Sequence, residues 1–449
     1  MKQSKKENEI NSVLKYQENE LEKIKRPDMS KVNNLISESE NILLKIGYQV
    51  NENKSYKTKN KTTIRVPSWE EMCSQAQKTV GNNVQIDELF SKEELNENEL
   101  AIELMKKEYN AIHKLDNIDL TICVAAGLLA SVIDILLVGI PQKTNMGIKA
   151  GKLSDYVRKW FEKEFPEEEM EKLANSKISK VPFDAQDNRY TKEYVKGLSA
   201  YYHRLLSLGH DPFLGLIFGV LDILSGSMTT IDKKGKIVSQ FMENYENRKE
   251  NDIFKAIAKQ IIHFKSDITT SMGLPAPFMS LFNLLQFGSI LEEEQTVAEI
   301  VQGMYFEGYD FIHFCSTSIP VMLIEVIVRL CYSIKKIKRG CSIKNSIPFS
   351  LNREKNPKLS TMLFISHATA SSINAGKVFF TKNPMSINYA EWITFAKYTY
   401  TQLKWAILQK PGLKEKYIKG QIQEELNSVY DEIDKTFNKC LDDYNVIFS

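Results

Sequence analysis

The hydrophobic positions of this chain fall into three regimes. The first hundred or so residues are polar and rich in Lys, Glu and Asn. Within them, "NSVLKYQENELEKIKRP" and, more clearly, "SKVNNLISESENILLKIGYQV" carry apolar residues at three- and four-residue steps, which predicts amphipathic helices. Pro27 and the Asp28–Ser30 stretch separate the two, and "NENKSYKTKNKTT", Asn51 to Thr63, reads as a loop or linker. The second regime begins near Ile118. "LTICVAAGLLASVIDILLVGI", Leu120 to Ile140, has 21 residues and a single charge, Asp134, which is long enough to span a bilayer. The later apolar runs are short, charged or interrupted. "PFLGLIFGVLDILSG" carries Asp222, "LPAPFMSLFNLLQFGSI" is broken by Pro275 and Pro277, and "IPVMLIEVIVRLCYSI" carries Glu325 and Arg329 at i,i+4. Runs of that kind predict core helices or re-entrant pieces rather than spans. The third regime starts at Asn388, where "KEKYIKGQIQEELNSVYDEIDKTFNKCLDDY" has the pattern of a surface helix.

These regimes predict a mainly α-helical protein with a central bundle of apolar helices. Residues 1–110 form a polar helical region, 111–385 the apolar helical core, and 386–449 an amphipathic helical tail. Alternating strand patterns are rare, so no large sheet is expected. One internal echo stands out. "GLLASVIDILLVG" from Gly127 and "GLIFGVLDILSGS" from Gly215 align without gaps, which sets Asp134 on Asp222. The echo arises from composition alone or from a duplicated helix whose aspartates face each other.

Composition narrows the function. The 449 residues carry a net charge of +2 with 26% charged residues, so no basic footprint for nucleic acid exists. Six scattered cysteines include no C-x-x-C pair, which argues for reduced thiols of an intracellular protein. The opening residues are basic but lack the apolar run of a signal peptide. No P-loop and no G-x-S-x-G elbow occurs.

The chemistry-bearing stretch is "YYHRLLSLGHDPFLGLIFGVLDILSG", Tyr201 to Gly226, where histidines, an arginine and aspartates crowd an apolar run. A buried charge costs several kcal/mol unless it is paired or holds a metal. His203 and His210 are about 10 Å apart on a continuous helix, too far to share one ion. Gly209 and Pro212 end helices, so His203 is expected on a helix with His210 and Asp211 on a turn that folds back. Asp211 either caps the next helix or serves the site. Arg204 offers forked donors to a phosphate or carboxylate. His263 and Asp267 in "IIHFKSD" project from one helix face at i,i+4 and suit a shared ion or a carboxylate-held imidazole. His113, His313 and His367 have no such neighbours in sequence, and a structural role is expected for each.

An aspartate after a small-residue-rich apolar helix, then H-R…H leading into another apolar helix, then H-x-x-x-D, resembles the bacterial membrane-bound metal-dependent hydrolase family of the LexA-binding inner-membrane type. The resemblance covers residues 120–270, through Asp134, through His203, Arg204 and His210, and through His263 and Asp267. The family pattern has a D-x-D-H cluster where only Asp134 stands here, two histidines two residues closer, and serine in place of Asp211. The resemblance implies a divalent metal ion held by Asp134, His203, His210, His263 and Asp267. Arg204 would stabilise charge on the substrate, and Asp211 would act as orienter or general base. A phosphoester or lipid-like substrate would be hydrolysed at the bacterial inner membrane or in the cytoplasm, on the cytoplasmic face. A competing expectation is a non-enzymatic helical interaction or defence-effector protein at a membrane, with "KKIKR" (residues 335–339) marking a cytoplasmic helix end.

Overall fold

The computed structural model describes residues 4–25, 34, 37–39, 41–42, 45, 63–81, 84–145, 147–288 and 295–448. Most of the second amphipathic N-terminal segment, and all of the 51–63 linker but Thr63, lie outside the described residues. Along the chain run α1 (Lys5–Lys25), β1 (Thr63–Val66), α2 (Trp69–Val80), α3 (Lys92–His113), α4 (Asn117–Ile133), β2 (Gln142–Thr144), β3 (Gly147–Lys149), α5 (Lys152–Glu164) and α6 (Glu167–Ala174). There follow α7 (His203–Leu206), α8 (Phe218–Ser225), β4 (Ser227–Ile231), β5 (Ile237–Phe241), α9 (Ile253–Asp267) and α10 (Val297–Phe306). The chain closes with α11 (Phe311–Lys338), α12 (Ile343–Ser346), α13 (Leu359–Thr381), α14 (Tyr389–Lys404), α15 (Lys410–Asp443) and β6 (Asn445–Phe448). The protein is mainly α, and the described strands form only two-stranded ladders.

The chain divides into two units, Met1–Ala111 with Lys410–Ser449, and Ile112–Gln409. The first joins both ends of the sequence. β1 pairs in parallel with β6, Thr63 opposite Asn445. α1 is tied to the segment after α2, with Asn11 Nδ2 donating to the Val84 carbonyl at 3.1 Å and Ser12 Oγ to the Gly81 carbonyl at 2.7 Å. Residues 386–409 belong with the core unit, and α15 with the N-terminal region.

In the second unit α4, α11, α13 and α14 pack together around Cys123, Ala126, Ile324, Met362, Leu363 and Tyr398. Small residues let α4 and α13 approach closely: a Cβ at Gly127 would lie 2.6 Å from the Ser366 carbonyl oxygen. α4 opens with a capping box between Asp116 and Asp119, which satisfies two free N–H groups. Buried Asp119 also accepts from Lys335 Nζ at 2.6 Å and Lys358 Nζ at 3.1 Å. The bundle buries polar groups beside this apolar core and leaves much of its outer face apolar. Asp119, Ser131 and Asp134 are buried, while Leu128, Leu129, Val132 and Leu136 of the same stretch are exposed, as are Met322, Val326 and Leu330 of α11. Two helical stretches, within Lys92–Val138 and Phe311–Lys338, are long and apolar enough to cross a membrane. The second corrects the expectation of a short core piece. α11 runs 28 residues because it continues through Pro320 back to Phe311.

Two other expectations change. "LPAPFMSLFNLLQFGSI" is buried as expected of a core piece but is not a regular helix: among its described residues only Met279–Leu284 turns, as a 3-10 helix, and Leu274, Ala276 and Met279 are buried. The echoed aspartates share no partner. Asp134 turns to Lys377 and Asn388. Asp222 accepts from Ser227 Oγ at 2.7 Å and the Thr229 N–H at 2.9 Å, which fastens α8 to β4.

Candidate metal centre

α9 begins at Asp252, whose side chain accepts from the Lys255 N–H. It buries a polar stripe of Gln260, His263 and Asp267. Gln260 Nε2 donates to the Gly209 carbonyl at 2.7 Å, and so seats the turn that carries His210 against α9. That turn is as tight as its sequence requires. α7 spans only His203–Leu206, and Leu208–His210 is a 3-10 turn. The fold-back expected from Gly209 brings the His203 and His210 rings to 5.2 Å, and the His210 and His263 rings to 5.0 Å. Phe183 lies edge-on to His210 and His263. A Cβ on Gly209 would lie 2.6 Å from the Phe183 ring, so only glycine fits there.

Phe183 also delivers Asp184 to the cluster. His203 Nε2 lies 3.4 Å and His210 Nε2 3.7 Å from Asp184 Oδ1. His210 Nε2 lies 3.9 Å and His263 Nε2 3.7 Å from Asp267 Oδ2. The three imidazoles and Asp267 are buried, while the Asp184 side chain keeps 26% exposure and forms the solvent side. His203 Nδ1 donates to the Ala200 carbonyl at 2.8 Å, which leaves Nε2 facing the Asp184 carboxylate. Both His210 ring nitrogens, His263 Nε2 and Asp267 Oδ2 are buried without a hydrogen-bond partner.

The charge states follow from the surroundings. Burial pulls His210 down to about 4, although Asp184 opposes this. Burial would raise Asp184, but His203 and His210 beside it hold its carboxyl well below the ordinary value. Neutral imidazole and ionised carboxylate are the ligand forms a metal needs. Two donors each about 2.1 Å from one ion and at a tetrahedral angle lie about 3.4 Å apart. The observed separations of 3.4–3.9 Å lie at that spacing or somewhat beyond it. The mixed imidazole and carboxylate set suits zinc, iron, manganese or cobalt.

One sequence-based ligand assignment and two roles are corrected here. Asp134 is not a member of the cluster. Its oxygens accept from Lys377 Nζ and Asn388 Nδ2, each at 2.8 Å, so its charge is already matched. Asp184 takes the acidic place instead. Its only trace in the sequence is the acidic pair Asp184 and Asp187 upstream of His203, in a segment with no helical period. Asp211 is not a base at the site. Its Oδ1 accepts the Phe213 and Leu214 N–H groups and its Oδ2 the Ser280 hydroxyl, the capping role weighed for it. Arg204 is not a free anion fork. Its Nη2 donates to Asp267 Oδ1 at 3.0 Å, and its Nη1 to Thr270 Oγ1 and the Gly273 carbonyl. It leaves Asp267 Oδ2 without a hydrogen bond.

The sequence also hid a partnered histidine. Buried His367 Nδ1 sits 2.9 Å from Glu391, and its Nε2 3.8 Å from Glu325. Among known proteins, no family model, no curated protein and no solved structure matches this chain.

Proposed function

We propose that the second unit is a divalent-metal-dependent hydrolase that acts on a phosphoester or lipid-like substrate at a membrane. The observation that carries this reading is the set of partnerless ligand atoms. His210 Nε2, His263 Nε2 and Asp267 Oδ2 are buried without hydrogen bonds, beside His203 and Asp184. Unmet buried acceptors cost about 1–3 kcal/mol each, and a bound cation offsets that cost for all of them together. A divalent ion held by Asp184, His203, His210, His263 and Asp267 would supply an acidified water and a Lewis acid for a phosphoryl or acyl oxygen. The chain's own residues do the positioning. Arg204 fixes the Asp267 carboxylate, the Ala200 carbonyl fixes the His203 tautomer, and Phe183 excludes water from one wall.

The exposed apolar faces of α4 and α11 support membrane association. They also favour the second reading, a helical membrane-associated interaction or defence-effector protein. Metal content separates the two readings. Protein purified without chelator is expected to hold a stoichiometric transition metal, lost in a folded His203→Ala/His263→Ala variant. A native protein with no metal above background, and no gain in melting temperature on adding zinc, manganese, iron or cobalt, removes the hydrolase reading.

A further inference from the structure

Arg204 links the His/Asp cluster to a cavity of about 290 Å³. One face of its guanidinium holds Asp267, and the other holds Thr270 and Gly273, which line that cavity. Its volume is at the small end for ligand sites, which suits a head group and not an acyl chain.

The charges along its wall are of both signs, and all but the Arg158–Asp310 pair are uncommitted among the described residues. Arg158 gives a single nitrogen, Nη2, to both oxygens of Asp310, at 2.9 and 2.8 Å. Its Nε and Nη1 make no hydrogen bond among the described residues, and the side chain keeps 16% exposure at the cavity. Lys143 on β2 has no carboxylate partner among the described residues, and neither Glu162 on α5 nor Glu167 on α6 has a cationic one; all three border the same space. Tyr201, 48% exposed, stacks flat on Phe306 with centroids 4.1 Å apart and forms an aromatic wall. An anionic ligand alone would satisfy Arg158 and Lys143 but meet two unpaired glutamates. A cationic ligand alone would satisfy the glutamates and the aromatic wall but meet two cations. Only a group with both charges is complementary to the whole lining.

We propose that this cavity binds the zwitterionic head of the substrate, with a carboxylate on Arg158 and Lys143 and an ammonium on Glu162 and Glu167. The substrate is then a phosphoester whose alcohol carries an ammonium and a carboxylate on one carbon, as a serine ester does. This assignment rests on the hydrolase reading for its link to the phosphoester.

The test is a ligand-observed NMR titration of the full chain, stripped of metal by chelator, with glycerophosphoserine, glycerophosphoethanolamine and glycerophosphoglycerol. The serine ester is expected to bind at least tenfold more tightly than the glycerol ester, with the ethanolamine ester between them. The Glu162→Gln/Glu167→Gln variant, changed only at exposed side chains, is expected to lose about tenfold for the serine ester and nothing for the glycerol ester. Lys143→Gln is expected to narrow the gap between serine and ethanolamine esters. Equal affinities for the three esters, or an unaffected glutamate variant, overturn the proposal even where metal-loaded protein hydrolyses phosphoesters. Selective binding of the serine ester without metal-dependent hydrolysis upholds the cavity as a ligand site and removes the hydrolase reading alone.

Discussion

The core unit buries two polar clusters that are built on opposite principles. Around Asp134 and His367 each ionised group has an oppositely charged neighbour, and His367 Nε2 alone is left without a hydrogen bond. Lys377 meets Asp134, and His367 lies between Glu391 and Glu325, with Arg329 closing the set 2.7 Å from Glu325. Around His210 the same residue types are matched only in part: Arg204 meets Asp267 through Oδ1 alone, and both His210 ring nitrogens, His263 Nε2 and Asp267 Oδ2 are left without hydrogen bonds. A buried cluster that carries its own cations holds a fold together. A buried cluster with too few of them carries a cost that, on the reading proposed above, a bound ligand would remove. Burial is nearly equal in the two, so what sets the His210 cluster apart is the number of its unmet polar atoms.

This contrast can be broken by truncation. Lys377→Met leaves Asp134 buried without its cation and is expected to cost about 3–5 kcal/mol in chemical unfolding. Asp134→Asn on top of it should recover much of that loss. In metal-free protein, His263→Leu should cost far less or stabilise, because it removes an unmet acceptor. If the two single variants destabilise the metal-free protein equally, the clusters are not different in kind.

Metal should reverse the order. At a free ion concentration 1,000 times Kd, binding adds about 4 kcal/mol to stability. The melting temperature is therefore expected to rise on adding metal and to fall back on chelation. Asp184→Asn should weaken this response, whereas Lys377→Met, though less stable throughout, should keep it in full. A metal-induced rise that survives Asp184→Asn undiminished removes Asp184 from the site.

The paired cluster has a pH signature of its own. Burial disfavours the His367 imidazolium, but Glu325 and Glu391 win and raise it above the ordinary histidine value. A raised histidine contributes stability in full below its unfolded value of about 6.5, and loses it as pH climbs through the folded value. Metal-free protein is expected to weaken on that alkaline side, and His367→Gln should flatten the limb. A limb unchanged in the variant assigns it to other groups.

The helices were legible because their signals are local. The turn at Gly209 and the i,i+4 pair His263 and Asp267 needed only spacing. Asp184 was not legible, because it reaches the cluster through the packing of Phe183 against His210 and His263, a contact between segments with no common period. Asp134 misled for the converse reason. A lone acid in an apolar helix looks unpaired until α13 brings Lys377 to it, 243 residues away. His367 was read as isolated because its carboxylates come from two other helices. Sequence shows which groups are candidates, and tertiary pairing decides which of them stay unmatched.

Asp211 makes the smallest and cleanest test of that rule. It stands beside His210 in the sequence and is as deeply buried, yet its oxygens are spent on Phe213, Leu214 and Ser280. Burial raises its carboxyl above the ordinary value, and these hydrogen bonds only partly offset that. Asp211→Asn keeps one acceptor oxygen for the turn and is expected to cost about 1–2 kcal/mol. Metal content and affinity, read by mass spectrometry and competition with a chelator, should stay at the native level. A loss of metal in a folded Asp211→Asn protein would mean that adjacency to His210, and not unmatched charge, defines the site.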